Sequence, residues 1–284
     1  MRHLRDRLVV IVGPTAIGKS RLGLHLAQMF GGEIVSADSR QVYRYMDIGT
    51  VKPAPEELSL VPHHLIDIIN PDENFSLARY QELALHAIDD IWRRNKLALL
   101  VGGSGQYVWS VVEGWRIPRV SPDPEFRHSL EEEASEVGSV KLYQQLMEVD
   151  PVAGQRIDPH NTRRVIRALE VHRNTQTPFS QLQNKKPPPF KVLMIGLTSD
   201  RANLYRRIDC RVDEMVRQGL VEEVRGLLKM GYDSNLPAMS GIGYKQIAMF
   251  LKGELTLPVA IQQIKSETHR YVRQQYNWCQ LKDE

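Results

Sequence analysis

The stretch from Val9 to Ala27, VVIVGPTAIGKSRLGLHLA, constrains this chain more than any other. A short, apolar, β-branched run ends at Gly13. The pattern Gly-x-x-x-x-Gly-Lys-Ser then runs from Gly13 to Ser20 and opens a helical pattern carrying Leu22, Leu24, Leu26 and Met29. Strand, loop and helix in that order read as a phosphate-binding loop. Glycines at 13 and 18 let the backbone wrap phosphate oxygens, the helix offers free N–H groups, Lys19 adds charge, and Ser20 supplies a hydroxyl for Mg²⁺. The expected phosphate cradle is therefore Gly13, Pro14, Thr15, Ala16, Ile17, Gly18, Lys19 and Ser20, with Ser20 as the metal ligand. A chance loop is the alternative, and the strand-loop-helix context weighs against it.

Two further segments repeat the design. GEIVSADS, and KLALLVGG leading into SGQYVWSVVEG, each place a glycine or small polar residue where an apolar run stops. This alternation predicts an α/β fold: a parallel sheet like that of the P-loop NTPases, with helices on both faces. After Trp115 the texture changes. Prolines at 118, 122 and 124 open a charged, helix-patterned stretch without a convincing strand, KKPPPF closes it, and KVLMIGLTSD reads as a strand again. We expect a core over 1–115 and 191–284, interrupted by a mainly helical insertion over 116–190.

Composition excludes several classes. A chain of 284 residues, 42% hydrophobic, can bury a sizeable core, and no apolar run approaches the ~20 residues that span a bilayer. MRHLRDR passes directly into LVVIVG without a small-residue cleavage site, so the expected compartment is the cytoplasm, with no membrane partner. Cys210 and Cys279 are too few for a disulfide framework and read as ordinary thiols.

The loop lacks what an ATPase needs. Such enzymes place an Asp at the end of an apolar strand, whereas LALLVGG ends in Gly102 and Gly103, and no Asn-Lys-x-Asp guanine reader occurs. A ligand other than a nucleotide stays open. Asp38 follows the second strand, at the edge where open α/β sheets place ligands. It suits either a helix cap or a chemical role, and the two are compatible. Ser104 occupies the corresponding turn of the third strand. A phosphate cradle, a carboxylate and a hydroxyl together suit transfer of a group from a phosphorylated donor to a nucleophile.

GPTAIGKS, SADSRQVYRYMDIGTVKP, HHLID, LLVGGSGQYV, NTRRVIRALEV, GLVEEVRGLL and GIGYKQ occur in this order. With them the chain closely resembles the tRNA dimethylallyltransferases, also called tRNA isopentenyltransferases, from Val9 to about Trp278. The resemblance implies dimethylallyl diphosphate as donor and N6 of adenosine 37, in a tRNA anticodon stem-loop, as acceptor. The loop would then hold a diphosphate, with Mg²⁺ as cofactor. It further implies Asp38 as the base, Ser104 beside the same nitrogen, and Arg211 as a catalytic cation that joins Lys19 against the leaving diphosphate. Contacts to tRNA would come from Asp38, Ser39, Arg40, Gln41, Ser104, Arg127, Arg163, Arg164 and Arg167. Ser104 and Ser20 stand where the family more often has Thr, and Gln274 where it often has Arg. From sequence alone Arg211 reads as a solvated helix charge.

The overall charge of +3 says little, but its distribution says more. From Pro151 to Lys191 there are eight basic residues against two acidic ones, and Arg163 and Arg167 lie one helical turn apart with Arg164 adjoining. Such a stripe is either a solvated face or a seat for backbone phosphates. Lys265, His269 and Arg273 recur at one-turn intervals near the carboxyl end and form a second candidate RNA face. His63, His64 and Asp67 invite a zinc reading, which the family motif PHHLID does not support. Prenylation of a free adenine nucleotide, a small-molecule kinase and a plain RNA-binding protein are the competing readings. A monomer is expected.

Overall fold

The computed structural model describes residues 6–182 and 184–279. Five parallel strands, β1 (Arg7–Val12), β2 (Gly32–Ala37), β3 (His63–His64), β4 (Leu97–Gly102) and β5 (Lys191–Gly196), form one sheet in the order β3-β2-β4-β1-β5. The architecture is α/β. Period-two alternation divides each strand between two cores. Leu8, Val10, Val12, Val35, Ala37, Ala98 and Leu100 enter the larger one, while Ile11, Ile34, Leu99 and Val101 enter the smaller. β5 is an edge strand with alternating exposure, in line with its Lys191 and its exposed Leu193.

Helix α1 (Lys19–Phe30) covers the smaller core, with Leu22, Leu24 and Leu26 packed against its margin. Its buried residues are Gly23 and Ala27, whereas Leu22, Leu24 and Leu26 are only partly covered and Met29 is exposed. Small residues one turn apart let the helix axis approach the sheet, and Gly23 lies against Val101. The short helix α2 (Pro55–Leu60), then α3 (Leu77–Arg93) and α4 (Gly105–Val112), follow. Ser76 caps α3 by accepting from the Arg79 N–H.

The two-residue strand β3 was not expected from sequence, and it accounts for the histidine pair. His64 Nε2 lies 2.7 Å from Glu33, and His63 Nδ1 lies 2.8 Å from the Val61 carbonyl. Glu33 is fully buried in β2, where Arg94 and Lys96 also meet it.

By its internal packing the chain divides into two compact units, Met1–Val112 with Pro188–Glu284, and Glu113–Pro187. The second contains α5 (Pro124–Val137), α6 (Ser139–Val149), α7 (Pro151–Arg156), α8 (Thr162–Thr175) and α9 (Phe179–Leu182), packed on Leu130, Leu142, Leu146, Val165, Ile166 and Leu169. Glu170 is wholly buried there and receives Arg127 (Nε at 2.8 Å, Nη2 at 2.7 Å), Arg167 and the Asp123 N–H. Arg167 also donates to the Val120 carbonyl. The stripe expected along α8 is thus narrower than the charge count suggests. A buried carboxylate must be paired, and it draws Arg127 and Arg167 inward. Arg163 and Arg164 remain exposed.

The chain then returns through β5 to α10 (Arg201–Arg217), α11 (Leu220–Lys229), α12 (Tyr244–Leu251) and α13 (Leu257–Cys279). Here the second expected RNA face is corrected. Lys265 pairs with Asp213 at 2.7 Å, His269 with Asp209 at 2.9 Å, and Arg273 donates to the Tyr205 hydroxyl at 3.1 Å, so all three line the seam between α13 and α10. Partly exposed pairs contribute only ~0.2–1 kcal/mol each, so they orient the seam. Ile208, Val212, Ile264 and Val272 supply its buried apolar surface. Cys210 is an exposed free thiol, and the Cys279 side chain lies outside the described residues. No helix among the described residues is long and apolar enough to cross a membrane.

Burial alone would raise the Glu33 carboxyl, but hydrogen bonds from Arg94, Lys96 and His64 outweigh it and hold the group at about 2, below its ordinary 4.5. A carboxyl depressed in the folded state stabilises fully above its unfolded value and loses that contribution as pH falls through the folded one. Glu33→Gln should therefore lower stability at pH 7 by ~3 kcal/mol. In urea titrations the gap to wild type should close between about pH 4.5 and 2. A gap independent of pH would show that the charge is not responsible.

Candidate active site

β2, β4 and β1 are neighbours, so the turns after their carboxyl ends lie side by side. The turn after β1 is the phosphate loop. Gly18 caps α1 at φ 108°, a backbone region that side chains disfavour, and no side chain makes a capping hydrogen bond to the helix start. The first-turn N–H groups and the positive end of the helix dipole are left open for an anion. No acidic residue stands in that turn. Lys19 Nζ donates to the Pro14 carbonyl at 2.8 Å.

Asp38 follows β2 directly. Its Oδ1 accepts the Arg40 N–H at 2.8 Å, which fixes the carboxylate in a local turn and not as a helix cap. Ser104 follows β4. Its Oγ accepts the Ser39 N–H at 3.0 Å and donates to the Ser39 hydroxyl at 3.2 Å, so the two turns are joined by side chains.

Lys19, Asp38 and the Ser39 that Ser104 holds line one cavity of about 620 Å³ within the sheet-bearing unit. The cavity brings Thr15, Ala16, Gly18, Lys19 and Ser20 together with Asp38, Ser39, Arg40 and Gln41. Arg211 enters from α10 beside Arg207. Burial, and after it the Arg207 charge, pulls Arg211 below the ordinary guanidinium range. Among the described residues no carboxylate pairs with either arginine. Two neighbouring cations without a carboxylate partner, beside an uncapped helix start, are an arrangement that suits an anion.

Arg40 and Gln41 have structural partners. Arg40 Nη1 donates to the Pro237 carbonyl at 2.7 Å, and the Gln41 amide holds the Thr50 and Val51 carbonyls. They shape the rim of the cavity, and Glu223 steadies the same rim by accepting the N–H groups of Asp47, Ile48 and Gly49. Met215, Ile242 and Ile264 give the cavity an apolar flank. Arg127, Arg163, Arg164 and Arg167 belong to the helical unit.

Two residues of the site escaped the sequence reading. Gln275 of α13 is buried; its Oε1 accepts the Thr15 N–H at 2.8 Å and its Nε2 donates to the Gly103 carbonyl at 2.9 Å. A Cβ at Gly103 would stand 2.5 Å from that Nε2, which explains the glycine. Tyr271 lines the cavity. A signal for both was available: Thr268, Tyr271, Gln275 and Trp278 recur at three- and four-residue intervals, on a face of α13 distinct from the seam residues Lys265, His269 and Arg273.

The sequence pattern of the IPP transferase family matches residues 41–282. The chain belongs to this family. A tRNA dimethylallyltransferase of Roseiflexus castenholzii is 55% identical over 271 residues, covering 95% of this chain and 89% of the relative. The IPP transferase fold is shared as well. The crystal structure of the full-length tRNA isopentenylpyrophosphate transferase of Bacillus halodurans matches at TM-score 0.72 and 42% identity, covering 98% of this chain and 88% of that one. A eukaryotic dimethylallyltransferase acting on tRNA matches at TM-score 0.82 and 28% identity, covering 96% of this chain and 69% of that one.

If the arginine pair and the helix start form the anion site, inorganic diphosphate should bind there. Arg211→Ala should weaken that binding about tenfold or more by calorimetry, on the scale of one lost charge-assisted contact. Unchanged affinity would remove Arg211 from the cradle.

Proposed function

We propose that this chain transfers a dimethylallyl group from dimethylallyl diphosphate to N6 of adenosine 37 in the anticodon loop of tRNA, releasing diphosphate. The observation that carries the reading is the shared cavity: a fixed carboxylate, Asp38, and an anion cradle line the same space. β4 ends in Gly102, where an ATPase would need an Asp. The names of the relatives support the acceptor class. The apolar flank of Met215, Ile242 and Ile264 suits a five-carbon chain.

An exocyclic adenine amine is a weak nucleophile because its lone pair is delocalised into the ring. In the proposed step N6 bonds to the allylic carbon, the carbon–oxygen bond to diphosphate breaks, and the N6 proton passes to Asp38. Ser39 and Ser104, already joined to each other, stand beside the acceptor nitrogen. Lys19, Arg211 and the first-turn N–H groups of α1 meet the charge that develops on the leaving diphosphate. The adenine must leave its stack to enter the cavity, which costs least in an exposed loop.

Mg²⁺ fits as a companion of the diphosphate. The described residues hold no group of three His, Cys, Asp or Glu that would cage a metal, and the exposed Ser20 hydroxyl in the cavity is a hard oxygen donor. Mg²⁺ is typically held by few protein ligands together with phosphates and water. When bound, it would offset the charge of the leaving diphosphate.

Exposed Arg163 and Arg164 favour tRNA over a free adenine nucleotide, which needs no such surface. Asp38→Asn keeps the shape and removes the proton acceptor, so transfer should fall ~10²–10⁴-fold with donor binding intact. Near-normal turnover would remove Asp38 from the base role. Arg163→Ala with Arg164→Ala should weaken stem-loop binding and flatten its salt dependence by nearly two in the log–log slope if each contacts one phosphate. An unchanged slope, or transfer to AMP alone, would favour a nucleotide acceptor.

A further inference from the structure

Gly49, Thr50, Val51, Lys52 and Pro53 line the cavity together with Asp38. Lys52 ties this segment to the β2–β3 side of the sheet: its Nζ reaches the Tyr43 carbonyl at 2.7 Å, Asp47 at 2.6 Å, and Asp67, which follows β3. The phosphate loop follows β1, on the far side of β4. Within the segment Val51 is held at φ 51°. Among the described residues it is the one β-branched residue in the left-handed region, where a branched side chain crowds the backbone. Such a conformation persists only when its surroundings over-determine it. They do so here. Glu223 accepts the N–H groups of Asp47, Ile48 and Gly49, and the Gln41 amide donates to the Thr50 and Val51 carbonyls at 3.3 and 3.2 Å. These restraints do not tuck the valine away. Its side chain joins none of the three apolar cores, is 40% exposed and lines the cavity.

We propose that Val51 is a specificity-determining contact for the acceptor, its methyl groups packing on the face of the adenine that reaches Asp38. The proposal rests on the prenyl-transfer reading above. A base drawn out of its stack loses its neighbours, and enzymes that act on extruded bases replace them with aromatic or apolar side chains. Gln41, three residues beyond Asp38, joins the Val51 carbonyl to the turn that carries the carboxylate. The donor is served elsewhere: its diphosphate belongs to the loop after β1, and its five-carbon chain has the flank of Met215, Ile242 and Ile264. A strained valine that leaves the cores unfilled is thus presented to the acceptor.

The test sets stability against activity, with kcat/KM for an anticodon stem-loop, inorganic diphosphate affinity and the thermal midpoint measured on each variant. Val51→Gly relieves the backbone, since glycine adopts this region freely, and its midpoint should equal or exceed that of wild type. Its kcat/KM should nevertheless fall about tenfold, the scale of uncovering one aliphatic side chain, with diphosphate affinity unchanged. Val51→Ala removes two methyl groups without loosening the segment, and its kcat/KM should fall a few-fold in the same direction. Wild-type kcat/KM in both variants would overturn the proposal. So would a loss confined to Val51→Gly, which would trace to a loosened segment, or a midpoint that falls along with kcat/KM, which would make Val51 a residue of the fold. A drop in diphosphate affinity would place it on the donor side instead, against the proposal. A wild type that transfers to no adenine acceptor would overturn the functional reading and this proposal with it, whereas an active wild type with indifferent variants overturns this proposal alone.

Discussion

One buried amide holds the two halves of the site together. Gln275 accepts from the phosphate loop at Thr15 and donates to Gly103 after β4, so a side chain near the carboxyl end of the chain fixes turns encoded near its beginning. An amide buried at that point is stable only with both partners in place, because an unsatisfied group would cost ~1–3 kcal/mol. Gly103 is required by the close approach, and the neighbouring Gly105 makes room in the same way for the Trp278 ring, 2.5 Å from where its Cβ would be. The glycine-rich turn after β4 is thus shaped by a helix more than 160 residues away.

Much of this was legible in the sequence because the signals are local. A phosphate loop is one contiguous strand, turn and helix, and Asp38 and Ser104 sit at the tips of apolar runs, where parallel sheets gather their ligands. Missed features depend on distant partners. The strand His63–His64 is too short for any periodicity and exists because Glu33 and Val35 of β2 lie beside it. The closest contact of α1 with the sheet falls at Gly23 and Ala27, small residues that the leucine pattern of the helix does not single out. The basic pattern of α13 was read as a surface, although Asp209, Asp213 and Tyr205 on α10 await it.

Charge counting misled in the helical unit for a related reason. Glu170 looks like one acid against many bases, yet it is wholly buried. Burial alone would raise its carboxyl, and the bonds from Arg127, the Asp123 N–H and Arg167 reverse the shift and hold it below the ordinary range. Arg173 lies over the Phe126 ring at 4.3 Å, and Lys185 pairs with Glu113 at 2.6 Å. Among the described residues of this unit, exposed Arg116, Arg119, Arg156, Arg163, Arg164 and Lys186 have no such partner. The cavity of the sheet-bearing unit obeys the opposite logic: Arg207 and Arg211 stand close together, and among the described residues no carboxylate pairs with either.

The central claim is that the cavity joins a phosphate-bearing prenyl donor to an RNA adenine. The most direct measurement is mass spectrometry of an unmodified anticodon stem-loop after incubation with the protein, Mg²⁺ and dimethylallyl diphosphate, with nuclease mapping of the product. One C₅H₈ unit should appear on adenosine 37, and a stem-loop with guanosine at that position should stay unchanged. An unmodified stem-loop in the presence of both substrates, or a C₅H₈ unit on the guanosine control, would contradict the account.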